Sequence, residues 1–186
     1  MRRCHPPRSP ATSISLYRAT IPVYLRGLTV MADYIKKARM HCETRGLDPA
    51  TILQARLAPD MLDFVAQVQR VSDTAKFAVA RLTGLESPKF DDNETTFDQL
   101  RDRIANTEAF IAGVLEDRFD GADSRQITLK FKEYQTTMDA VDYLLKFALP
   151  NFYFHVTTTH DILRAQGVEV GKTDYLGPFE MEKIPA

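Results

Sequence analysis

The chain has only two cysteines, Cys4 and Cys42, and they form no C-x-x-C or similar metal spacing. A disulfide framework normally needs more pairs, so two free thiols in a reducing compartment are expected, with a cytosolic address. No apolar run approaches the roughly 18 to 20 residues of a membrane span. A contiguous secretory apolar region is also missing. No strongly basic block occurs, and 24 Lys and Arg nearly balance 25 Asp and Glu. That balance removes the main electrostatic basis for nucleic-acid binding, which needs a surface able to neutralise phosphates. The nucleophile elbow, P-loop, dinucleotide fingerprint and H-E-x-x-H zinc motif are all missing.

Acidic residues are missing from the first 32 positions, which hold five arginines (2, 3, 8, 18 and 26). Such N-termini can be organelle transit peptides. Here the first helix is expected to begin near Ser15, so residues 1–14 read as a dispensable, disordered basic and Pro-rich tail. Residues 15–177 form the expected domain, and 178–186 a C-terminal tail. At 186 residues, 44% of them hydrophobic, the chain can bury a sizeable core.

Threes and fours dominate the apolar spacing. From Ser15 to about Arg45 an apolar face runs through Leu16, Val23, Met31, Tyr34, Ala38 and His41, closed by Gly46. Pro22 predicts a kink or an early break. Asp48-Pro49 opens a short helix to about Ala55. A second long helix is expected from Pro59 to Leu82, with Met61, Val65, Val68, Ser72, Ala75, Val79 and Leu82 inward and Gly84 as its stop. Thr95 or Thr96 caps a third, reaching about Phe119, with Phe97, Leu100, Ile104, Ile111 and Leu115 inward. Ile127, Leu129 and Phe131 then alternate as in a strand, which needs a partner from the C-terminal tail or another chain. Helical spacing returns near Thr137, breaks at Pro150, and resumes from Asn151 to about Ala165. An irregular tail follows Gly167 and Gly171. Three long helices and a split fourth predict an all-α four-helix bundle with one short extended segment.

The last helix carries the candidate chemistry. Phe152, Val156, Thr159 and Leu163 share its inward stripe, with His155 about 60° from Phe152 at the edge. His160 falls about 140° from His155, so the two rings cannot converge on one ion, and His160 is expected to face solvent. A lone inward histidine is most often a hydrogen-bonded structural residue. Ser72 is a buried hydroxyl that needs a partner, for which the carbonyl one turn earlier suffices. His41, Cys42 and Glu43 fan outward from one helix turn and make no cluster. Glu108 flanks the third helix's core stripe, where it could meet His155 across the bundle.

The segment LPNFYFHVTTTHDILRAQGVEVGKTDYLG (149–177) resembles the C-terminal signature of a domain-of-unknown-function family of bacteria and fungi. That family belongs with the DinB/YfiT-like metalloenzyme superfamily. SLYRATIPVYLRGL (15–28) is similar to the family's opening signature, and the resemblance covers about Ser15 to Gly177. It implies a four-helix bundle, often dimeric. In active members it also implies a divalent metal held by three histidines, one on the second helix and two at i,i+4 on the fourth. His155 matches the first fourth-helix ligand. Its i+4 partner is Thr159, however, and the second helix has no histidine, Ser72 or a neighbour standing there. One imidazole with two hydroxyls does not make a zinc or nickel site, so no cofactor is expected.

Two functions follow as expectations. In the first, a vestigial bundle binds a small molecule, or a second copy of itself, with His155, Thr159 and Ser72 lining the cavity. In the second, an enzyme of transferase or hydrolase type uses His155 as general base or partial metal ligand, helped by Asp174 or Tyr175.

Overall fold

The computed structural model describes residues 13–177, so Cys4, with the rest of residues 1–12, and the C-terminal tail 178–186 lie outside the described residues. Helix α1 (Leu16–Arg45) starts where the Ser15 hydroxyl accepts the Arg18 N–H, and it runs unbroken through Pro22. It ends at Gly46, whose φ of 62° lets its N–H return to the last-turn carbonyls. A short α2 (Ala50–Leu53) follows, its first N–H bonded by the Asp48 carboxylate.

The second long helix, α3 (Phe64–Thr83), starts later than Pro59. Asp63 caps it by accepting the Ala66 N–H. From Phe64 the buried positions run through Gln67, Val68, Val71, Ser72, Ala75, Val79 and Leu82. Helix α4 (Phe97–Ala112) opens on a capping box between Thr96 and Gln99. It stops at Gly113, short of Phe119, and leaves Leu115 exposed rather than inward.

The extended segment finds its partner within the chain. Strand β1 (Gln126–Phe131) pairs antiparallel with β2 (Tyr134–Asp139), Ile127 opposite Met138 and Phe131 opposite Tyr134. The turn is only Lys132-Glu133, with Lys132 at φ 47°. Neither the Gly nor the Asn that usually marks such a turn is present. The expected pairing with the tail or another chain is thus corrected, and the fold is helical with one small two-stranded sheet.

Asp139 then caps α5 (Ala140–Asp142), and the helix continues through a π-helical turn, Tyr143–Ala148, into α6 (Leu149–Ala165). The expected break at Pro150 is instead this wide turn. Proline lacks an N–H, and its ring crowds the carbonyl four residues back, so widening the preceding turn keeps the helix continuous. After Gly167 the expected irregular tail contains α7 (Lys172–Leu176). Helix α1 packs along α4, α3 along both α6 and α4, and α1 also against α3 and α6. The core between them centres on Tyr24, Leu28, Phe64, Leu100, Ile104 and Phe152. Among the described residues no helix is long and apolar enough to cross a membrane.

Candidate functional site

His155 projects from α6 towards the first turn of α3, with only 9% of its surface exposed. There its Nδ1 lies 2.7 Å from Oε1 of Gln67, which is 1% exposed. The Gln67 amide cannot turn freely, because its Nε2 donates to the Leu62 carbonyl at 3.2 Å. Oε1 therefore faces the ring and accepts, which fixes Nδ1 as the protonated nitrogen. Nε2 is left with its lone pair and has no protein hydrogen bond among the described residues. Burial, reinforced by the nearby Arg70 cation, pushes the imidazole down to about 4, so it is neutral near physiological pH.

The other candidates separate. Thr159 is fully buried one turn after His155, and its hydroxyl donates to the His155 carbonyl at 2.8 Å. Ser72 faces α4 instead, 2.8 Å from the Thr107 hydroxyl, which in turn donates to the Arg103 carbonyl. Ser72 follows Gln67 by five residues, about 140° around α3, so the two cannot serve one site. Its partner is thus a side chain on α4, not the carbonyl one turn earlier. Glu108 lies against α1, 3.3 Å from the Thr29 hydroxyl, and burial raises its carboxyl. It does not meet His155.

Asp174 and Tyr175 are committed to holding α7. Asp174 pairs with Lys37 of α1 and accepts the Gly171 N–H, and the Lys37 bond keeps its carboxyl low. The Tyr175 hydroxyl is 3.0 Å from that of Thr157, while Arg26 donates to the Leu176 carbonyl. Because α7 covers this flank, His160 does not face solvent as its helical angle suggested. Its ring lies between Tyr34 and Tyr175, at centroid distances of 5.8 and 6.1 Å. Burial also pushes the Cys42 thiol up, away from nucleophilic use.

Gln67 was missed as a site residue. Its signal existed: it falls three after Phe64 and four before Val71 on the buried face. The apolar stripe through Val68, Ser72 and Ala75 marks only part of that face, and the amide lies about 100° from Val68, on the side that meets α6.

The metal site that the resemblance implies needs three ligands. Around His155 the neighbouring donors are an amide already engaged at both ends and a threonine hydroxyl turned to a carbonyl. No group of three His, Cys, Asp or Glu among the described residues could hold an ion. These residues do not fit the metal.

The family described as "Domain of unknown function (DUF1993)" matches residues 16–176. The chain is also similar to a DinB family member protein from Shewanella denitrificans, known from a crystal structure. The two are 37% identical with a TM-score of 0.83, over 91% of this chain and 96% of that one. No curated protein matches.

Proposed function

The chain belongs to the DUF1993 family, and from that premise we propose that it is a DinB-type four-helix-bundle protein that recognises a small molecule through His155 without the three-histidine metal site. The observation that carries the proposal is the His155–Gln67 bond. On α3, where a second imidazole would be needed, an amide fixes the tautomer of the first. The imidazole is neutral and its Nε2 is a free acceptor, suited to a ligand hydroxyl, amide or acid proton. Thr159 supports the site by tying the His155 carbonyl, and Ser72 contributes only through the α3–α4 packing.

Thermal-shift screening of small acids and alcohols, followed by titration, tests this. A ligand should stabilise the protein in proportion to its occupancy, and the effect should vanish in His155→Gln. Stabilisation unchanged in that variant sinks the proposal. The same free Nε2 favours a second reading, in which His155 is the general base of a transferase or hydrolase acting on a thiol or other small molecule. Turnover that disappears with His155→Gln distinguishes it from simple binding.

We also propose a cytoplasmic homodimer. Supporting it are the free, buried Cys42 and the exposed apolar side chains Ile14, Leu115, Val141 and Leu145. Light scattering at micromolar concentration should give twice the chain mass, and a monomer would refute it.

A further inference from the structure

A second set of chemistry lies on the face of α3 that meets the hairpin. Arg70, Thr74, Phe77 and Arg81 recur at three and four residues and share that face. Across from them the π-helical turn presents Tyr143 and Phe147, and α6 presents Asn151. Lys130 and Phe131 of β1 close the third side. Together they bound a cleft of about 420 Å³, the size of a small-ligand site.

Its walls are aromatic. Phe147 lies 5.9 Å from Phe131 and stacks on Tyr143 at 6.0 Å, measured between ring centroids. Phe77 and Phe131 stay 38% and 47% exposed, a cost in water that a flat apolar ligand would remove. Polar groups sit between them, since the Asn151 amide donates to the Thr74 hydroxyl at 2.9 Å.

The charges differ in how far they are already used. Arg70 is taken by Asp92 at 2.6 Å and Asp73 at 3.3 Å. Among the described residues Arg81 donates only to the Tyr143 hydroxyl, at 3.0 Å, and its guanidinium lies 5.4 Å from the Phe77 ring and 5.8 Å from the Tyr143 ring. Among the described residues no carboxylate pairs with Arg81 or with Lys130. The guanidinium is thus oriented before any ligand arrives, with a planar fork that matches a carboxylate. Two uncommitted cations beside Asp73 suit a single negative charge better than a polyphosphate.

We propose that this cleft binds a small planar aromatic carboxylate, its acid on Arg81 and Lys130 and its ring between Phe77 and Phe131. His155 is not among the residues that line the cleft, although Arg70, which borders it, also acts on the imidazole.

Calorimetric titration of the full chain with 2-naphthoate is the test. Saturable, sub-millimolar binding is expected, and the uncharged 2-naphthamide should bind about tenfold more weakly. Arg81→Gln should weaken 2-naphthoate by about tenfold, and Arg81→Lys should recover part of that loss. Lys130→Gln, on the exposed hairpin where folding is not at risk, should cost about threefold. His155→Gln should leave binding unchanged, which keeps failure here separate from failure of the His155 site. Absence of saturable binding, equal affinity for the amide, full retention in both Arg81→Gln and Lys130→Gln, or loss confined to His155→Gln would each overturn the proposal.

Discussion

His155 of α6 and Gln67 of α3 are joined across the interior by a 2.7 Å bond between imidazole Nδ1 and amide Oε1. The contact sets a proton position and a helix-to-helix spacing at once. Replacing Gln67 by Leu should cost about 1–3 kcal/mol, because the His155 N–H and the Leu62 carbonyl both lose buried partners. Gln67→Glu should instead raise the imidazole's pKa, since a carboxylate favours its charged form. Chemical denaturation checks the first outcome, and an NMR titration of the His155 ring checks the second.

Stability should fall with acid through this same residue. His155 is pushed from an ordinary 6.5 down to about 4 in the folded chain, so the unfolded chain binds its proton first. The stabilisation is complete above the unfolded value and is lost as pH falls through the folded one, amounting to roughly 3 kcal/mol. Urea unfolding across that interval should slope downward towards acid in the native protein. In His155→Gln the slope should flatten, and an unchanged slope would assign the acid sensitivity to other groups.

A separate network fastens the loop 84–96 onto α3 and α4. Arg103, 3% exposed, bonds Glu94 at 2.9 Å and Asp73 at 2.8 Å, and Asp73 also holds Lys76. Burial alone would raise the Glu94 carboxyl, but its bonds from Arg103 and Gln69 hold it below the usual range. Arg103→Met should therefore destabilise by about 2–4 kcal/mol, because two enclosed carboxylates lose their shared buried cation while keeping their weaker partners Lys76 and Gln69. Melting curves would show it, and a loss below about 1 kcal/mol would mean water replaces the guanidinium.

Close packing also fixes how α1 meets α6. A Cβ at Gly27 would fall 2.6 Å from Cζ of Phe152, a ring already seated edge-on against Tyr24. Gly27→Ala gains about 1 kcal/mol of helix propensity. It should nevertheless be destabilising overall, by about 1–3 kcal/mol, because neither ring has room to move. A raised melting temperature would contradict this.

Most of the helical frame was legible in the sequence because its signals are local. Ser15, Thr96, Gly46 and Gly84 mark ends through their own hydrogen bonds or backbone angles. The inward stripe Phe152, Val156, Thr159 and Leu163 is buried as its period requires. Part of what escaped depends on contacts distant in sequence. Helix α7 is held by Lys37 and Arg26, more than a hundred residues away, and no local pattern announces it. The hairpin escaped because Lys132-Glu133 carries no turn signature, and β2 is too polar to alternate. At the site, His155 was identifiable from its place on α6. Gln67 was hidden because α3 packs against both α4 and α6, so its buried face is wider than the single apolar stripe and takes in an amide on the α6 side.

Metal content is the most direct measure of the central claim. The protein should be expressed with zinc, nickel and manganese supplied, purified without chelator, and assayed by mass spectrometry of the elements. The His155–Gln67 arrangement predicts far less than one equivalent of any of the three, unchanged in His155→Ala. One equivalent in the native protein, lost in His155→Ala, would contradict it and restore a metal to this bundle.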